Sequence, residues 1–349
     1  MENCEGLPNP VELVNKIIVK ATRDAVDAIH FSPRADSLEV SFRKFGRLTL
    51  EEQLPHKAIR PIIDCVKRMS SLDINERALP QDGRVRMSID GKKLDMLESV
   101  VPTYWGEKAV LRFIPLADKH DTFESLGMSE ETANSVRKAQ QERKGLTLFA
   151  GLRHSGLSTT LNAITKELAS AKQNAFFITR GPITENSSIT HILPAPWKGL
   201  TVAACVRSAL RADSDLIIVD DIDCYETAEV VIKAAQRGHF IIAAIAAEDC
   251  QSTLQRLLDF GICPTWLTHS LKLIVAQTLV TVPCEHCNEK GCESCSSIGA
   301  TGRKAYFETL FLDRAIHKAL RGKSPSEKLR RYFISSNHMP LKELLNDKS

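Results

Sequence analysis

The sequence predicts an α/β protein in three parts: a small N-terminal α/β domain, a core with a parallel central sheet, and a C-terminal region built around cysteines. Three observations lead there. Beyond about Leu126, short apolar runs alternate with helical sequence, as in a parallel sheet covered on both faces. A glycine loop joins one of these runs to a helix. Two C-x-x-C pairs follow closer to the C-terminus. A chain of 349 residues is also too long for one ordinary core. The expected boundaries are residues 1–117 for the first domain, 118–125 for a linker, 126–280 for the core and 281–349 for the last region.

The first domain opens with apolar residues at helical spacing over Pro10–Ala21, and the same spacing returns from Ala58 to Met69. Between them Ser37–Arg43 alternates as a half-buried strand does. Gln81–Arg84 contains Asp-Gly and predicts a turn between strands, and Ala109–Ile114 predicts a closing strand. Asp118–Glu124 is charged and unperiodic, which suits the linker. In the core, Ser129 stands as the N-cap of a helix to Gln141, with Glu130 and Glu131 in its first turn. Strands are expected over Gly145–Ala150, Ala175–Thr179, Asp215–Asp220 and Phe240–Ala244, and a helix over Ser158–Ala169. Glu308–Ser349 reads as mostly helical and charged, and the chain shows no internal repeat or low-complexity tract.

Composition excludes several classes. With 46 Lys+Arg against 43 Asp+Glu the net charge is +3, which argues for neither a nucleic-acid partner nor a membrane surface. No run approaches the roughly 18 apolar residues that span a bilayer. Met1–Gly6 lacks the charged-then-apolar pattern of a signal peptide. Ten cysteines, four of them in C-x-x-C pairs, point to metal binding in a reducing compartment, so a cytoplasmic protein is expected.

Four constellations carry chemistry. Gly151-Leu-Arg153-His154-Ser155-Gly156-Leu157-Ser158-Thr159 follows the phosphate-loop pattern G-x-x-x-x-G-K-[ST], except that Leu157 stands at the lysine position. In such a loop backbone N–H groups wrap the phosphates, the hydroxyl ligates Mg²⁺, and the lysine neutralises the β/γ oxygens. Leucine does none of that last work; a plain tight turn is the alternative. Asp215–Asp221 is an apolar strand ending in two carboxylates, which could deliver Asp221 as an acid to a Mg²⁺–phosphate site or simply cap the next helix. Arg207 and Arg211, one helical turn apart, could reach phosphates or form surface ion pairs. His239 reads as a strand-start histidine packed in the core. Cys284, Cys287, Cys292 and Cys295 could close a tetrahedral, structural zinc shell, although the four-residue spacer is short; free surface thiols are the alternative.

At these residues the chain resembles the type II secretion and type IV pilus assembly ATPase family, from about residue 8 to about residue 340. Ala28–Pro33, Leu79–Arg84 and Gly106–Arg112 resemble its N-terminal signatures. Glu226–Ala228, Ala234–His239, Ala276–Leu279, the four cysteines and Gly299–Arg303 resemble its core and C-terminal region. The resemblance implies a RecA-like P-loop NTPase core, ATP with Mg²⁺, a hexamer, and partners among inner-membrane platform proteins.

The catalytic positions depart from that family. Leu157 replaces its lysine and His154 a loop glycine. Arg180-Gly181-Pro182 replaces an acidic box, and Asp220-Asp221 replaces Gly-Glu. Asp223 stands for an arginine, Ala246 for a histidine and Ala204 for another arginine. The expectation is a catalytically weak or inactive structural or regulatory subunit, as a homo-hexamer or in a mixed ring with an intact paralogue. An active divergent ATPase using Arg153 or Arg180 as a relocated cation, and a non-hydrolysing ATP sensor, are the alternatives.

Overall fold

The computed structural model describes residues 9–89, 91–114, 122–168, 173–180, 188–196, 199–287, 290–292, 295, 299–335 and 341. Linker residues 118–121, Ala169, Gly181 and Pro182, and residues 336–340 and 342–349 of the tail expected to be helical, lie outside them. The chain divides into two compact units, Met1–Leu116 with Thr281–Gly302, and Ala117–Val280 with Arg303–Ser349.

In the first unit, α1 (Pro10–Arg23) and α2 (Ile59–Met69) pack on a six-stranded sheet. Its strands are β1 (Ala28–Pro33), β2 (Ser37–Lys44), β3 (Arg47–Pro55), β4 (Gln81–Ile89), β5 (Lys92–Thr103) and β6 (Gly106–Phe113). They lie in the order β3-β2-β1-β6-β5-β4, antiparallel throughout. Asn9 caps α1 by accepting the Val11 N–H, and Pro10 suits the first turn, where no N–H is needed. Ile29, Phe31, Leu38, Val40, Met96, Val100 and Leu111 point into one core with Ile17, Ile18, Ile62 and Val66. Gln81–Arg84 is not a turn: it pairs with Val100–Leu97 as the start of β4. Gly83 serves close approach instead, since a Cβ there would lie 2.7 Å from the Ser70 Cβ. Lys67 is wholly buried and donates to Glu107 (2.7 Å) and to the Glu76 carbonyl (2.6 Å), and Arg77 joins Glu107 to Asp64.

The second unit holds α3 (Glu130–Gln141), β7 (Gly145–Ala150), α4 (Leu157–Leu168), β8 (Ala175–Ile178), β9 (Ile189–Ile192), α5 (Val202–Arg211) and β10 (Leu216–Val219). It continues with α6 (Tyr225–Gln236), β11 (Phe240–Ile245), α7 (Cys250–Asp259), α8 (Pro264–Ser270), β12 (Leu271–Pro283), β13 (Ala300–Phe311), α9 (Arg314–Leu320) and α10 (Pro325–Ser335). The order β13-β12-β7-β11-β10-β8-β9 contains six successive strands, β12 to β9, that pair in parallel. Both faces are covered. Leu146, Leu148, Ile217, Val219, Ile241 and Ile274 face one apolar layer, while their neighbours Phe149, Leu216, Ile218, Ile242 and Leu273 face the other. Ser129 caps α3, accepting the Thr132 N–H, as expected.

The C-terminal expectation needs correcting at its start. Glu308–Phe311 is strand, the end of β13, because Glu308 and Leu310 turn inward with the two-residue period of an edge strand. Glu308 accepts N–H groups from Cys250 (3.3 Å) and Leu341 (2.9 Å), so a charged letter marks an inward position. Helical sequence begins only at α9.

Candidate functional site

Parallel strands bring their carboxyl ends to one edge of the sheet, where α/β proteins hold ligands. The ends of β7, β8, β10 and β11 therefore place Gly151–Gly156, Arg180, Asp220–Asp223 and Ala246 along the same edge. The loop leaves β7 with the Gly151 N–H donating to the Ile245 carbonyl at 3.2 Å. Two residues take left-handed backbone, His154 (φ 68°) and Gly156 (φ 89°). The loop then runs directly into α4, whose first-turn N–H groups have no acceptor within the helix.

Gln277, on β12, clamps the loop. Its Nε2 donates to the Ser155 carbonyl at 2.7 Å and its Oε1 accepts from the Thr160 hydroxyl at 2.6 Å. It is 3 % exposed, and a Cβ at Gly156 would lie 2.8 Å from its Nε2. Sequence reasoning missed this residue. Its signal was a lone amide in the otherwise apolar run Leu273–Val280.

The loop fits a phosphate group in part. Ser155 is buried and its Oγ has no partner among the described residues, while Ser158 and Thr159 present hydroxyls in the first turn of α4. Arg153 and His154 are exposed. Leu157 is partly buried and packs against the edge of the apolar cluster that holds Phe123, Phe149, Leu161 and Ile164, so the lysine position presents an apolar side chain there.

At the end of β10, the Asp220 carboxylate accepts the Arg180 N–H at 2.7 Å, and the Arg180 guanidinium lies 3.8 Å from the Asp223 carboxylate. Where the resemblance implies a carboxylate at 180 and an arginine at 223, the two charges are exchanged and still face each other. Asp221 keeps access to solvent, yet loss of part of its water to the surrounding chain pushes its carboxyl up to about 6. Asp223 and Asp220 add to the rise, against Arg256 and Arg180. Arg207 donates to Glu226 at 2.6 and 3.0 Å, and Arg211 to Ser208 at 3.1 Å. His239 lies half-buried just before β11, its carbonyl accepting the Gly145 N–H at 3.0 Å.

The four cysteines converge: all four sulfurs lie within 4.8 Å of one another. Neighbouring Sγ pairs are 3.7 to 3.8 Å apart. Bonds of about 2.3 Å in a tetrahedron put thiolates about 3.8 Å apart, so the set fits a zinc-sized ion despite the short spacer. Gly291 N–H donates to Cys287 Sγ at 3.3 Å, and those of Cys292 and Gly299 to Cys295 Sγ at 3.2 Å. Burial works against a Cys295 thiolate, but these N–H groups bring it down to about 6.

Six parallel strands with helices on both faces, a glycine loop entering a helix and an acidic strand end together define the fold of the P-loop NTPases. The family model described as "Type II/IV secretion system protein" matches residues 5–343, and the chain belongs to this family of secretion and pilus assembly ATPases. It is 32% identical over 359 residues to the type IV pilus assembly ATPase PilB of Thermus thermophilus, covering 93% of this chain and 40% of that protein. It is 29% identical to the type II secretion system protein HxcR of Pseudomonas aeruginosa, covering 91% of this chain and 69% of that protein. The chain thus spans about 40% of the length of the Thermus relative. Among solved structures the fold matches the Legionella pneumophila ATPase DotB (TM-score 0.71, 18% identity, 96% of this chain and 90% of that one). It also matches the pilus retraction motor PilT with bound ADP (TM-score 0.68, 19% identity, 95% and 91%). Among the described residues no helix is long and apolar enough to cross a membrane.

Proposed function

We propose that the chain is a catalytically weak or inactive member of the secretion and pilus ATPase family, serving as a structural or regulatory subunit of such a motor. One observation carries the reading: the position from which a phosphate-loop lysine works holds Leu157, partly buried against an apolar cluster and without charge. Arg180, a candidate substitute cation, already has the Asp223 carboxylate 3.8 Å from its guanidinium, while Asp220 holds its main-chain N–H. That speaks against its recruitment to a phosphate. When bound, Mg²⁺–ATP would bring a polarised γ-phosphate. Gly151–Gly156 and the first turn of α4 would hold its phosphates, with Ser158 near the metal and Asp221 positioned to orient water. Losing an oriented charge at such a site costs about a hundredfold in rate, and several losses together leave little turnover.

The family setting supports a cytoplasmic subunit, a homo-hexamer or a mixed ring with an intact paralogue, and partners among inner-membrane platform proteins. The cysteine geometry supports a structural zinc ion. ATP binding and turnover by the purified chain test the reading, with Asp221→Asn as control. We expect turnover at least about a hundredfold below that of an intact homologue. Comparable turnover that Asp221→Asn abolishes would sink the proposal. The orphaned Ser155 hydroxyl favours a second reading, a non-hydrolysing ATP sensor: measurable binding without turnover would select it.

A further inference from the structure

A cavity of about 500 Å³ lies between α9 and the start of α10, lined by Arg314, His317, Lys318, Arg321, Gly322 and Lys328. Five of these six residues are basic, and no carboxylate is among them. Among the described residues Arg314, Lys318 and Lys328 form no ion pair, and the nearby acids are occupied. Glu327 pairs with Arg331. Asp313 accepts the Ile316 N–H at 2.8 Å and the Tyr332 hydroxyl at 3.4 Å. Arg321 is steadied from α8, its Nε and Nη2 reaching Thr268 Oγ1 at 3.4 and 3.3 Å. The His317 Nε2 is buried with no partner among the described residues.

Helix electrostatics explains only part of this gathering. His317 and Lys318 lie in the last turn of α9, where cations are favoured. Arg314 opens α9, and Lys328 lies near the start of α10, where a cation opposes the helix dipole. The Lys328 ammonium also occupies the place that a Cβ would take at Gly322, close to the end of α9. Like charges so close repel, and Asp313, whose hydrogen bonds come from neutral donors, offsets only part of that charge.

We propose that this cavity binds a multiply charged, phosphate-bearing anion. Arg314, Lys318, Arg321 and Lys328 are its charge partners, and His317 Nε2 is a further hydrogen-bonding group. The volume falls within the range of small-molecule sites, and guanidinium forks match phosphate oxygens. The source is a soluble phosphate compound or a phospholipid headgroup. Burial, with Arg321, His269 and Lys272 nearby, holds His317 below the usual histidine range against the pull of Asp313. An anion in the cavity reverses that balance. Binding therefore takes up a proton and tightens as pH falls.

The test titrates the full chain with inorganic pyrophosphate by calorimetry, and pellets it with vesicles of phosphatidylglycerol in phosphatidylcholine. The variant is K318E/K328E, with K318Q/K328Q read in the same way if charge reversal prevents folding. Loss of pyrophosphate affinity by roughly tenfold or more in the variant assigns a soluble phosphate ligand. Loss of vesicle pelleting alone assigns a headgroup. Pyrophosphate binding that survives in the variant and disappears in Ser158→Ala belongs to the loop and counts against the cavity. If neither probe responds to the cavity variant, the proposal is overturned.

Discussion

Glu98, on β5, is 1 % exposed; its Oε2 accepts from the Ser70 hydroxyl, and its Oε1 has no partner among the described residues. Burial pushes its carboxyl up to about 7, against Ser70 and the Lys67 charge. Between about pH 4.5 and 7 the folded state therefore holds a proton that the unfolded chain has released, and stability falls as pH rises through that window. Glu98→Gln removes the dependence and should add on the order of 2 kcal/mol at pH 8 relative to pH 5. Urea unfolding at the two pH values checks it, and equal slopes in variant and wild type would contradict it. At this scale the sequence was legible where a residue acts alone, as with the Ser129 cap. It was silent where partners come from distant positions. Nothing in the letters of Lys67, Glu98 or Glu308 says that these charges are buried, since a buried charge and a surface charge are spelled alike.

The loop between β7 and α4 was legible as an element, because strand, glycines and helix follow one another locally. Its fastening was not. Gln277 comes from β12, whose pairing with β7 joins residues more than a hundred positions apart. Gln277→Ala leaves the Ser155 carbonyl and the Thr160 hydroxyl buried without partners, which costs about 1–3 kcal/mol. We expect a lower melting temperature and faster hydrogen exchange at amides 152–158, with exchange in β4 unchanged. Unaltered exchange in the loop would show that the clamp is dispensable. β13 escaped for a related reason: an edge strand needs only one buried face, and Arg303, Lys304 and Glu308 gave it the look of solvated sequence.

For the whole molecule, the class and the family were legible because ordered motifs span the chain. Local patterning groups 281–349, and contacts gather Thr281–Gly302 with the first unit and Arg303–Ser349 with the second. The cysteine set bears on this directly. Chelation at neutral pH should release about one zinc per chain and lower the unfolding temperature, and Cys287→Ser should do the same. Metal analysis alongside thermal unfolding reads both, and protein without zinc but with unchanged stability would refute the structural role. Leu157 has a consequence of another kind, which concerns reversal. Because its side chain is partly buried against an apolar cluster, a lysine returned to that position would forfeit that packing. On the proposed reading, a lone Leu157→Lys substitution would therefore leave turnover unrestored.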